Sequence, residues 1–183
     1  MDDTATEAGP LTTNDELAEY PGAPFTTLAV EVACAEVRGV CYWHIAPPVE
    51  GVRFTLDLES DTDVLILKSL HLTAVTDVID ERTGEHLTGW RVSKSGMVAL
   101  PRRISAGVAV VTVVGTHGLA EAPKELKAVI ADRARIFDTS NERDPELRTR
   151  TVGSVSYTWV NRRDGDADPM EPYAHVLHRF RAK

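Results

Sequence analysis

Cysteine is scarce in this chain: its 183 residues hold only Cys34 and Cys41. If both sit on one helix, their separation amounts to about 10 Å along the axis. A disulfide needs Cα atoms within about 7 Å, so they read as reduced, buried, small apolar side chains. No CxxC or HxxxH spacing joins Cys34, Cys41 and His44, which excludes the usual zinc patterns. Long apolar runs are also missing, since none reaches the roughly 18 residues of a membrane span. The acidic start, with Asp2 and Asp3, does not fit a signal peptide. Folding in the cytoplasm, without a membrane partner, is the expectation.

Catalytic signatures are equally thin. No serine occupies a G-x-S-x-G elbow. Gly115-Thr116-His117-Gly118 precedes a helix-like segment but lacks the lysine and hydroxyl of a P-loop, and Glu121 would repel an anion. The same loop has no basic residue with which to clamp nucleic acid. Asp164, Asp166 and Asp168 imitate the start of a calcium loop, yet Pro169 and His175 stand where glycine and glutamate are required. His175 and His178 lack a further ligand at suitable spacing. No catalytic residue, cofactor or metal is expected, and the chain does not read as an enzyme.

Positive charge is sparse in the first half. Residues 1 to 101 hold 6 of the 20 basic and 17 of the 28 acidic side chains, a net of −11, and the remainder carries +3. That asymmetry gives the two halves partner-seeking surfaces of opposite sign. At this length and with 43% hydrophobic residues, a single ordinary domain with its own core is expected.

What is present is centred on residues 107 to 137. Gly107 to Val114 is a valine-rich run that reads as a strand buried on both faces. Gly115 and Gly118 form a tight turn, and Pro123 suits the first position of a helix. Leu126, Val129, Ile130, Ala134 and Phe137 recur at helical spacing. Leu126, Ile130 and Phe137 are expected to pack on the Val108 to Val114 strand.

In chain order, residues 1 to 12 form a disordered arm. Thr13 and Glu16 have capping-box spacing ahead of a short helix that Pro21-Gly22 ends. Residues 24 to 42 read as an almost wholly apolar helix, buried in its own core or against another subunit. Helices are thus expected within 13 to 43 and 122 to 138. A β-rich insertion spans 46 to 115, in which Val52, Phe54, Leu56 and Leu58 alternate with polar residues. Turns at Thr83-Gly84 and Lys94-Ser95-Gly96 favour an antiparallel meander. Residues 138 to 150 read as a loop or weak helix, and a strand is expected at 153 to 160. An aspartate-rich linker and a last helix capped by Asp168 then occupy 164 to 183. The fold class is α+β: a helical bundle carrying an antiparallel β-rich insertion, with a C-terminal strand and helix.

Several segments together carry a resemblance. They are Val40-Cys41-Tyr42-Trp43-His44-Ile45, Leu65-Ile66-Leu67 with Ser69 to Val75, Gly89-Trp90, the Gly96 turn, and Thr116-His117-Gly118 with Pro123. Val152 to Tyr157 and His178-Arg179-Phe180-Arg181 complete the order. The chain resembles the head–tail adaptor (head-completion, or connector) proteins of long-tailed double-stranded DNA bacteriophages across roughly residues 14 to 182. It departs at Lys68, where a proline is expected.

The resemblance implies a structural virion protein that forms a ring of about twelve copies beneath the portal, a closed heterologous assembly. Its implied partners are itself, the portal protein and a stopper or tail-completion protein. Genomic DNA would pass through the channel without sequence-specific binding. It further implies that the C-terminal segment docks on the portal through Tyr173, Val176, Leu177, Arg179, Phe180 and Arg181. The alternative is a small-molecule-binding or enzymatic α+β domain with a pocket near Trp43, Trp90 and His117.

Overall fold

The computed structural model describes residues 9–141, 149–152, 155–158 and 168–182. Of the arm expected to be disordered over residues 1–12, residues 1–8 lie outside the described residues, and its end is not loose, because Leu11 and Thr12 are buried. Leu11 is apolar and finds the helical core, and Arg38 donates to the Gly9 carbonyl at 2.7 Å. Thr13 and Glu16 exchange the two reciprocal bonds of a capping box, at 3.0 and 3.4 Å. They open a single 3-10 turn, Asp15–Leu17, whose Leu17 is fully buried.

Helix α1 spans Thr27–Cys41. Thr26 caps it by accepting from the Ala29 N–H at 3.2 Å, and Asp138 in turn accepts from the Thr26 N–H at 3.0 Å. Helix α2, Lys124–Asn141, packs along α1. Ala29, Ala33, Val37 and Cys41 meet Leu126, Ile130 and Ala134 in the helical core. Burying these faces is what drives the helices together, at roughly 25 cal/mol per Å² of apolar surface. Arg133 fixes their register, donating through Nε and Nη2 to both Glu36 oxygens at 2.8 and 2.9 Å.

In chain order, the residues between the two helices form a β-sandwich built from β1 (Val49–Leu58), β2 (Thr62–Ile66), β3 (Leu72–Asp80), β4 (Glu85–His86), β5 (Arg91–Val92), β6 (Met97–Ile104) and β7 (Gly107–His117). One sheet has the order β1-β7-β3-β4 and the other β2-β6-β5. Pairing is antiparallel throughout, but it is not the expected meander. The valine run of β7 is apolar on both sides, so it takes the interior position. The alternating strands β1 and β3 flank it and keep their polar residues outward. Val111 and Val113 point into the sandwich with Leu65, Val98, Leu100 and Ile104.

Leu126, Ile130 and Phe137 were expected to pack on β7, but they belong to the helical core, and the buried β7 valines belong to a second core. The inward face of β7 is already taken by the second sheet, and the helices pack on each other instead. The expected turn at Gly115 is also displaced, because β7 continues to His117. At Gly115 a Cβ would lie 2.4 Å from the Ala74 carbonyl of β3, so glycine permits the close strand approach. Gly118, at φ 115°, makes the actual turn.

A last hairpin joins β8 (Thr149–Val152) to β9 (Val155–Thr158). Of the segment 138–150, read as a loop or weak helix, residues 138–141 belong to α2, 149–150 belong to β8, and 142–148 lie outside the described residues. Of the expected strand at 153–160, residues 153, 154, 159 and 160 lie outside the described residues, as do linker residues 164–167. The chain closes with a 3-10 turn Glu171–Tyr173, a helical turn α3 (Ala174–Leu177), and a 3-10 turn His178–Phe180. The α+β class stands, with helices and antiparallel sheets in similar amounts.

Candidate functional site

Two regions gather the residues singled out in the sequence. The first is the junction where α1 hands over to the sandwich. Tyr42 terminates α1 in the left-handed conformation at φ 62°, which turns Trp43 and His44 toward the end of β7. The His117 ring there meets Phe54 edge-on at 5.0 Å, His44 at 5.7 Å and Trp43 at 6.4 Å between centroids.

His117 is 5% exposed, and its Nδ1 has no hydrogen-bond partner. Burial, with His44 beside it, pushes its pKa down to about 4. His44 Nε2 donates to the Pro47 carbonyl, and burial lowers its pKa as well. Both imidazoles are held neutral by the same cause, the cost of placing charge between two apolar cores.

Trp90 does not join them. It packs against the sandwich core with Leu87 and Val98, whereas Trp43 belongs to the helical core. The pocket postulated from Trp43, Trp90 and His117 is therefore not assembled as one constellation. Trp43 and His117 meet through ring packing, and Trp90 sits on the other side of the division between the cores.

The second region is the C-terminal segment. Its apolar residues were expected to form a docking helix that an aspartate-rich linker lets reach beyond the domain. Instead, Met170, Leu177 and Ala182 are buried in the helical core, and Tyr173, Val176 and Phe180 are half-buried against it. Asp168 Oδ1 accepts from the Met170 N–H at 2.9 Å in a local turn, but the expected cap is not formed: the first helical turn starts at Glu171, with Met170 at its N-cap and no side-chain cap bond. The Trp43 indole donates to the Phe180 carbonyl at 2.6 Å, and the Ala182 N–H donates to the Cys41 carbonyl at 2.9 Å. The Tyr173 hydroxyl donates to Asp132. A segment with only one α-helical turn cannot stand alone, so the nearest apolar surface takes it.

No protein-family profile matches this sequence, and no curated protein matches it.

Of the expected docking set, Leu177 is closed off, with 1% of its surface exposed. What remains outward is polar and cationic. Arg179 approaches Glu125 at 3.6 Å, and the Arg181 guanidinium lies 4.6 Å over the Tyr42 ring while donating to its hydroxyl. Tyr42 is an exposed aromatic that sequence reading missed. Its only signal was its position at the end of an apolar helix, where a left-handed cap is common. Cys34 and Cys41 are buried free thiols, and burial raises both pKa values. Among the described residues no cluster of His, Cys, Asp or Glu is arranged to hold a metal ion.

Proposed function

We propose that this protein is a structural head–tail connector, an adaptor that assembles as a ring of about twelve copies under a phage portal. The observation that carries this reading is the placement of the β-sandwich. It is inserted between α1 and α2 of one helical layer, the layout that the sequence resemblance implies. Two separate cores joined in one chain give a subunit with different surfaces at its two ends. Such a subunit suits a heterologous ring better than an isologous pair.

The outward Tyr42, Arg179 and Arg181, with part of Phe180, supply the portal contact in this reading. Tyr173, Val176 and Leu177 act as the anchor that holds that edge to the bundle. A cationic and aromatic edge favours an acidic partner surface. The protein would be a virion component, with DNA passing through the ring on a net acidic subunit of charge −8. Such a subunit gives little phosphate retention.

Negative-stain imaging of the purified protein, alone and mixed with portal-bearing heads, tests the reading. Rings on the portal vertex are the expected result. Heads that stay bare at saturating protein would overturn it.

A further inference from the structure

The outer face of the three-stranded sheet carries apolar side chains that the rest of the described chain leaves uncovered. Directly opposed residues on antiparallel strands share a face. The pairings Val64↔Ala99, Ile66↔Met97 and Arg91↔Ala99 therefore gather Val64, Ile66, Met97, Ala99 and Arg91 on one side. Their neighbours Leu65 and Val98 point inward and are buried. Val64, Ile66 and Met97 remain 43%, 63% and 45% exposed. Strand β2 is also an edge strand, with one side unpaired. The flanking charge is positive: Arg91 lies on the face, and Lys68 follows two residues after Ile66. Among the described residues no carboxylate pairs with either.

A surface of the opposite character lies on α1. A groove of about 400 Å³ runs beside it, lined by Pro10, Val30, Cys34 and Ala35, with Glu31 among its lining residues. Arg38 also borders it and keeps its charge, but its guanidinium is held in place by the carbonyls of Gly9, His44 and Ala46. Residues 9 to 37 contain five carboxylates and no cationic side chain. Glu16 and Glu36 are paired with Lys127 and Arg133. Asp15, Glu19 and Glu31 are exposed and form no ion pair among the described residues, although only Glu31 lines the groove itself.

We propose that the sheet face of one copy docks in the α1 groove of the next. Ile66 and Met97 enter the groove, and Arg91 and Lys68 meet Glu31 and the other free carboxylates. The inference rests on the connector reading and deepens it by naming the two surfaces that meet. They belong to different cores of the same chain, so the contact is heterologous and propagates until a ring closes. The patch is small against the roughly 1,000 Å² of a stable interface. Single contacts are therefore weak, and closure or a portal template supplies the remainder.

The test uses Ile66→Asp, which blocks the sheet face, and Ala35→Trp, which fills the groove. Both positions are exposed, and circular dichroism verifies the fold. In sedimentation, wild type should associate as concentration rises, and each variant alone should stay monomeric. Their mixture should stop at a heterodimer, because only one intact contact remains. Arg91→Glu should weaken association about tenfold, with recovery when Glu31→Arg is added. Wild-type assemblies that persist in both blocked variants would overturn the docking faces and leave the connector reading standing. If wild type is monomeric alone yet joins portal-bearing heads, Ile66→Asp must fail to form rings there, and normal joining overturns the inference. A wild type that neither associates nor joins heads overturns both readings.

Discussion

The Trp43 indole donates to the Phe180 carbonyl at 2.6 Å across 137 residues of sequence. This bond ties the exit of α1 to the closing segment of the chain. It satisfies an indole N–H that would otherwise be buried unpaired, at a cost of about 1 to 3 kcal/mol. The C-terminal segment is therefore part of the bundle, and its outward edge is placed by the bundle.

That attachment has a measurable energy. Leu177 is buried among helical-core residues, so Leu177→Ala should lower stability by about 2 to 5 kcal/mol in urea unfolding. A loss under about 1 kcal/mol would mean that the segment is detached in solution.

The His117 environment sets a pH dependence. Its pKa falls from 6.5 to about 4 in the folded protein, so between these values the unfolded chain takes up a proton that the folded chain refuses. Its neutral state contributes fully above about pH 6.5, and stability declines as the pH falls toward 4. The loss should be on the order of 2 to 3 kcal/mol. Lowered His44 acts in the same direction. Denaturation midpoints measured across this range should slope downward with acid, and His117→Phe should flatten the slope. An unchanged slope in the variant would assign the effect elsewhere.

Two glycines should respond in opposite senses. Gly96 turns at φ 84°, and a Cβ there would sit 2.2 Å from the Ser69 carbonyl. Gly96→Ala should therefore cost about 1 to 3 kcal/mol. Gly39 lies within α1 with nothing within 4 Å, so Gly39→Ala should stabilise by about 0.5 to 1 kcal/mol. Melting temperatures of the two variants give the comparison directly.

The bidentate pair of Arg133 and Glu36 joins α1 to α2 from a partly buried site. Glu36→Gln should cost about 1 to 3 kcal/mol, because the guanidinium loses a charged partner. Raising salt should reduce wild-type stability only slightly, since such pairs are poorly screened. A variant as stable as wild type in denaturant would show that the pair only sets register.

The local pieces were legible in the order of the residues. Helical spacing in 124–141, alternation in β1, the capping box at Thr13 and Glu16, and the Gly96 turn all arise from neighbours a few residues apart. Where those pieces went depended on contacts between distant parts of the chain. The β7 valines could have packed against α2 or against a second sheet, and periodicity is the same for both. Strand order was likewise free, because β1 reaches β7 across almost sixty residues and no local turn encodes that pairing. Trp43 and Trp90 looked alike in sequence, yet the division between two cores separates them. The apolar C-terminal face was legible as needing a cover, and the Trp43 and Cys41 contacts chose its own bundle. The reason is common to all of these: burial rewards any apolar partner equally, so the choice among partners rests on shape and distance that exist only in the folded chain.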